Sequence, residues 1–223
     1  MKLNHVYKTF YPDTPKEVKA LSDINLTFEK GEFTTLSGES GSGKTTLLNI
    51  IGGLDSATSG EIFFEGEEIS AYSEEKMAKL RLHDIGFIFQ AYNLIHVLTV
   101  RENIGFIMKL LKFDTKEIDA RTVELAEILQ IEDLLDKLPG EISGGQQQRV
   151  AVARAVASRP KLILADEPTA NLDSKNSARL MNMLRTLNEK EQVTVIFASH
   201  DKYVLEQSKR IIVLDDGVVV EDR

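Results

Sequence analysis

Gly38-Glu39-Ser40-Gly41-Ser42-Gly43-Lys44-Thr45 is the stretch on which the reading of this 223-residue chain turns. It satisfies G-x-x-x-x-G-K-[ST] at every fixed position. An apolar run, Phe33 to Leu36, precedes it. After it, Lys44 to Ile51 has the apolar spacing of a buried helix that stops at Gly52-Gly53. Glycines in such a loop let successive backbone N–H groups curl around an anion with no Cβ in the way. The helix start directs its positive dipole end at the same anion. Lys44 adds a full charge for β- and γ-phosphates, and the Thr45 hydroxyl is a ligand for Mg²⁺. Strand, loop and helix together predict a nucleotide-phosphate cradle running from Gly38 through Thr45 to Thr46.

Working outward, Ile24, Leu26 and Phe28 alternate with polar residues as a half-buried strand does, and Lys30-Gly31-Glu32 turns the chain into the run at Phe33. Short strands are expected at Glu61–Phe64 and Ile85–Gln90, with a polar helix from about Ser73 to Leu82 between them. From Val100 to Ala157 the pattern is helical, with Leu125, Ile128, Leu129, Leu134 and Leu135 at helical spacings. Pro139-Gly140 interrupts that run before a further helix begins near Ser143. After Pro160 strands return at Leu162–Ala165, Val193–Ala198 and Ile211–Leu214, with a helix from about Ser174 to Glu189. Strands alternating with helices predict an α/β core around a mainly parallel sheet. A helical subdomain, approximately residues 92–158, is inserted in it, within a single domain spanning 1–223.

Composition narrows the chemistry. Cysteine is absent, which removes disulfides, thiolate metal sites and a cysteine nucleophile. The net charge of −8 argues against nucleic acid as a partner, because a phosphate backbone is repelled on average. The longest apolar runs fall far short of the roughly 20 residues that span a bilayer, and Met1-Lys2-Leu3-Asn4-His5 has no apolar secretory core.

Leu162-Ile163-Leu164-Ala165-Asp166-Glu167 is an apolar strand ending in two acids. Parallel strands present ligands at their carboxyl ends, so Asp166 and Glu167 are expected beside the cradle. Asp166 is assigned to the metal and Glu167 to polarising the attacking water.

Ile142-Ser143-Gly144-Gly145-Gln146, followed by Gln147-Gln148-Arg149, has no role in a generic phosphate-loop enzyme. It resembles the signature motif of ABC-type ATPases, with Ile142 where leucine is usual. Other motifs follow in the family's order. Gln90 resembles the Q-loop glutamine, Asn171-Leu172-Asp173 the D-loop, and His200 the switch histidine. Phe10 or Tyr11 is placed like the aromatic that stacks on adenine.

The resemblance implies a P-loop NTPase core with an N-terminal antiparallel β part, and an Mg²⁺-dependent ATPase. Glu167, His200 and Gln90 would act in hydrolysis, with Gln90 also reaching the metal. Ser143, Gly144, Gly145, Gln146 and Asp173 would contact nucleotide held by a second copy, so that two chains sandwich two ATP molecules. Separate transmembrane permease subunits would hold the chain at the cytoplasmic face of the membrane, with Gln90-Ala91-Tyr92-Asn93-Leu94-Ile95 as the docking wall. The residues around Gln90, Gly144 and Asp166 look most like the lipoprotein-release and macrolide-export branch, which implies export or mechanotransmission with lipoprotein, macrolide, peptide or haem cargo. The alternatives are an importer ATPase or a non-transport ATPase of the cell-division type. No regulatory domain is expected after Asp215-Asp216-Gly217-Val218.

Overall fold

The computed structural model describes residues 1–223. The chain opens with strands β1 (Lys2–Phe10), β2 (Val18–Thr27) and β3 (Phe33–Ser37), then helix α1 (Lys44–Ile51). Strands β4 (Ser59–Phe64) and β5 (Glu67–Glu68), helix α2 (Glu74–Asp84) and strand β6 (Ile85–Ile88) follow. Three helices come next: α3 (Val100–Leu110), α4 (Thr115–Leu129) and α5 (Gly144–Val156). The chain ends with β7 (Leu162–Asp166), α6 (Ser174–Glu191), β8 (Thr194–Ala198), α7 (Lys202–Gln207), β9 (Arg210–Asp215) and β10 (Val218–Asp222).

Two sheets result. One is antiparallel, in the order β2-β1-β4-β5. The other runs β10-β9-β3-β8-β7-β6, parallel throughout except for the β10–β9 hairpin at its edge. β7 and β8 read as nearly continuous apolar runs, and even Thr34 and Thr35 of β3 are fully buried, because both faces of the parallel sheet are covered. Their side chains alternate between two cores. Leu162 and Leu164 of β7, with Ile196 of β8, pack with α1 and the antiparallel sheet. Ile163 and Ala165, with Val195 and Phe197, pack against α3, α4, α5 and α6. The sheet is therefore the wall between a β-and-α1 side and a helical side.

Local chemistry sets the helix starts. Ser73, Thr99, Asp114, Ser143, Asp173 and Asp201 each accept a backbone N–H of the first turn. Two boundaries and one placement differ from the sequence reading. β6 stops at Ile88, so Gln90 lies in a turn beyond the strand. α4 ends at Leu129, where Gln130 takes left-handed backbone; Leu134 belongs to a short 3₁₀ turn, and Leu135 follows it. Helical spacing there reflects two separate segments that feed one core. Leu94, read as part of a docking wall, is a core residue only 6 % exposed, and Tyr92 packs on the same core.

Candidate functional site

The Gly38–Thr45 loop connects the carboxyl end of β3 to α1. Gly38 and Gly43 have φ of 145° and 102°. A Cβ on Gly38 would sit 2.2 Å from the Leu214 carbonyl oxygen, and one on Gly43 would sit 2.7 Å from that of Ala20. Both the backbone conformation and the close packing therefore demand glycine. Lys44 is buried, and its ammonium donates to the Gly38 and Glu39 carbonyls at 2.7 Å each. These bonds hold the cation at the centre of the loop while Glu39, Ser40 and Gly41 face solvent.

The loop floors a cleft of about 1080 Å³, above the roughly 300–1,000 Å³ common for ligand sites. Phosphate-loop residues through Thr46, together with Gln90, Glu167 and His200, line it. Of the two candidate aromatics, Phe10 lines the cleft and Tyr11 does not; Tyr11 is 67 % exposed and takes left-handed backbone, with φ of 51°. Val18, Lys19 and Ala20 on β2, and Asp216-Gly217 between β9 and β10, also line it and went unread in the sequence. An Asp-Gly hairpin signal marked the second pair as a turn. Only the fold brings that turn against the phosphate loop, where the Gly217 N–H donates to the Ser42 carbonyl at 3.1 Å.

Asp166 ends β7 with its carboxylate accepting from the Thr45 hydroxyl at 3.2 Å. Burial pushes the Asp166 carboxyl above its ordinary value, and the Glu167 charge adds to that rise. The Thr45 hydroxyl and Lys44 oppose it. Glu167 leaves the strand at φ 46°, a left-handed setting uncommon outside glycine, while its N–H still bonds the Ala198 carbonyl of β8 at 2.9 Å. One of its carboxylate oxygens accepts from His200 Nδ1 at 2.8 Å; the other is buried without any partner. A neutral His200 that donates through Nδ1 has Nε2 as an acceptor.

These residues suit Mg²⁺ and a triphosphate. The Thr45 hydroxyl lines the cleft with the Asp166 carboxylate bonded to it, and no cluster of three or more His, Asp or Glu competes to hold an ion alone. Mg²⁺ takes few protein ligands and completes its shell with phosphate oxygens and water. The orphaned Glu167 oxygen is a buried acceptor awaiting a donor, as a water held for attack would be.

Ser143 to Gln146 lie elsewhere. None of them lines the cleft, and Ser143 and Gly144 are exposed. The Ser143 oxygen accepts the Gln146 N–H at 3.4 Å, and the Gln146 side chain accepts the Ser143 N–H at 2.8 Å. This capping box commits Gln146 to holding the helix start, and the Ser143 O–H remains able to donate outward. Asp173 is also spoken for. Its carboxylate accepts from the Asn176 N–H at 2.8 Å and the Asn176 amide at 3.0 Å, capping α6. Asn171 donates to the Gln90 carbonyl at 3.1 Å, joining the loop after β7 to the loop after β6.

A glycine loop between strand and helix, with paired carboxylates at the end of a parallel strand, defines a P-loop nucleoside triphosphatase. The family model described as ABC transporter matches residues 21–170. Bacitracin export ATP-binding protein BceA of Halalkalibacterium halodurans is 40 % identical over 98 % of this chain and 86 % of its own length. Lipoprotein-releasing system ATP-binding protein LolD 1 of Chlorobium chlorochromatii is 39 % identical over 100 % and 91 %. Among solved structures, the dimeric ABC transporter cassette MJ0796, a protein of Methanocaldococcus jannaschii, superposes with a TM-score of 0.91 at 40 % identity. That match covers 100 % of this chain and 97 % of the cassette, which is also known as a dimer in a post-hydrolysis state bound to ADP and Pi. The chain belongs to the ABC transporter family, as one of its ATP-binding, ATP-hydrolysing subunits.

Proposed function

We propose that two copies of this chain close head to tail over two ATP molecules and Mg²⁺, driving separate permease subunits in export or mechanotransmission. The observation that carries this reading is the division of the machinery on one protomer. The phosphate loop, Glu167 and His200 gather at one cleft, with Asp166 bonded to Thr45 beside it, while Ser143 and Gly144 are exposed outside it. An exposed helix start with a free hydroxyl and unhindered N–H groups is half of a phosphate site. A two-fold pairing supplies the other half to each cleft. The relatives named for bacitracin export and lipoprotein release support the exporter branch.

Lys44 and the loop amides bind and orient the phosphates, and Phe10 stacks on adenine. Thr45, Asp166 and Gln90 would hold Mg²⁺, which supplies charge neutralisation at the β- and γ-phosphates when bound. Glu167, which lines the cleft, accepts a proton from the attacking water, and His200 holds one of its carboxylate oxygens in place. The Ser143 hydroxyl and the Gly144 and Gly145 amides bind the γ-phosphate of the opposite copy, with Asp173 beside them on its capped helix.

No helix is long and apolar enough to cross a membrane. The permease instead docks on the helical subdomain of residues 92–158, at the loop before α3. Val97 there is 84 % exposed. The buried Asn103 amide braces that loop, accepting the Ile95 N–H and donating to the Ile95, Leu98 and Thr99 carbonyls. A rigid loop with an exposed apolar tip presents a ready anchor point. The protein then works at the cytoplasmic face of the membrane, held there by its permease.

Mixing two dead variants tests the pairing. Lys44→Ala spoils a chain's own cleft, and Ser143→Arg spoils only the cleft it offers to its partner. Each alone is inactive. In a mixture, half the dimers are mixed and each has one intact site, so hydrolysis returns to about a quarter of wild type. A mixture as inactive as its parts refutes the pairing.

A further inference from the structure

Tyr92 and Asn93 both take left-handed backbone, with φ of 59° and 51°. Such residues are rare singly and rarer in sequence, and they persist where surroundings over-determine them. Here the surroundings are identifiable. Arg154 in the last turn of α5 forks onto this turn, donating Nη1 to the Asn93 carbonyl at 2.6 Å and Nη2 to the Tyr92 carbonyl at 2.9 Å. No carboxylate pairs with Arg154, and burial pushes its guanidinium below the usual value. A half-buried cation spent on two carbonyls, with no carboxylate partner, is an unusual way to hold a loop, which argues that the position of the loop matters.

The same segment touches the other end of α5. A Cβ on Gly144 would lie 3.1 Å from the Tyr92 hydroxyl. On the far side of that helix start, a Cβ on Gly145 would lie 3.6 Å from Leu172 and 3.9 Å from Asn176. Asn171 closes the circuit by donating to the Gln90 carbonyl. Residues 90–93 are thus held by both ends of α5 and by the loop after β7, with Gln90 lining the cleft.

We propose that Arg154 is a positioning residue for ATP hydrolysis, locking the Tyr92–Asn93 turn to α5. Gln90 in one cleft and Ser143 on the surface offered to the other copy then move as one linkage. The proposal rests on the roles given above to Gln90 and Ser143. Arg154 itself touches no nucleotide; the fork translates the seating of Gln90 into the orientation of the α5 start. Lysine, with a single ammonium, cannot satisfy both carbonyls in the fixed fork geometry.

The test uses the full chain as Arg154→Gln and Arg154→Lys. In hydrogen exchange without nucleotide, the Tyr92 and Asn93 amides, which donate to Phe89 and Ala91 carbonyls, exchange about tenfold faster in Arg154→Gln, while α5 keeps its protection. ATP affinity measured without Mg²⁺ stays within about twofold of wild type, since the phosphate loop is untouched. Turnover falls about 10- to 100-fold and the Mg²⁺ concentration for half-maximal rate rises, because a misplacement near 1 Å has that effect. Arg154→Lys lies between the two. Unchanged exchange at Tyr92 and Asn93, or exchange rising equally along α5, overturns the proposal. The paired-site reading fails separately: an inactive Lys44→Ala and Ser143→Arg mixture, beside a loosened turn in Arg154→Gln, faults the pairing and not the clamp. A revived mixture beside an unmoved turn does the reverse.

Discussion

Replacing Glu167 by glutamine is the most discriminating single change, because its consequences for binding, structure and chemistry separate. Glutamine keeps the length of the side chain and an oxygen able to accept from His200 Nδ1, now at 2.8 Å. It keeps the same backbone, and the φ of 46° is no harder for glutamine than for glutamate. The side chain is only 18 % exposed, so the substitution adds no new solvent contact. What it removes is the orphaned carboxylate oxygen and its capacity to take a proton. Loss of a positioned general base lowers turnover by about 10²- to 10⁴-fold. That corresponds to about 2.7 to 5.4 kcal/mol of barrier.

Binding moves the other way. The Glu167 charge is one cause of the raised Asp166 carboxyl, so its removal lets Asp166 ionise more readily for the metal. It also removes a negative charge facing the phosphates. Phosphate release should therefore be nearly abolished while ATP binding is equal or tighter. Size-exclusion chromatography with light scattering should show a dimer that persists in ATP and dissociates in ADP. Turnover within tenfold of wild type would refute the base assignment, and a monomer in saturating ATP would refute the closed pair.

Lys44→Ala removes a charge-assisted contact of about 1.5–3 kcal/mol, so calorimetry should show ATP affinity falling about 10- to 100-fold. The helical side contains a separate ionic tie. Buried Arg121 on α4 donates to the Val156 and Ala157 carbonyls at the end of α5, to Glu124 and to Glu191. Hydrogen bonds from Lys190 and then Arg121 hold the Glu124 carboxyl down from 4.5 to about 2. A group depressed on folding stabilises the native state above its unfolded value and loses that contribution as pH falls. Urea midpoints should accordingly drop between about pH 5 and pH 2, with a shallower slope for Glu124→Gln; identical slopes would refute the tie.

How much of this was legible beforehand differs residue by residue. The strand–loop–helix geometry of Gly38–Thr45 was legible, since it needs only the right glycines in order between an extended run and a helix. Asp166 and Glu167 were placed beside it because apolar strands ending in acids deliver those acids at one edge of a parallel sheet. The Ser143 capping box was legible as a helix start. Phe10 and Tyr11 were inseparable as neighbours, and the fold put only Phe10 on the cleft.

By itself, then, the sequence determined what short stretches of chain settle locally: the glycine loop between β3 and α1, the acids at the end of β7 and the caps of the helices. Tertiary structure alone decided which distant segments meet. It sent Leu94 into the core and Val97 to the surface, set the Asp216-Gly217 turn against the phosphate loop, and laid Arg154 across carbonyls 61 and 62 residues away. Such contacts carry no local signature. A guanidinium aimed at two carbonyls depends on the curvature of the sheet and the packing of α5, and neither is written in the residues that make the bond.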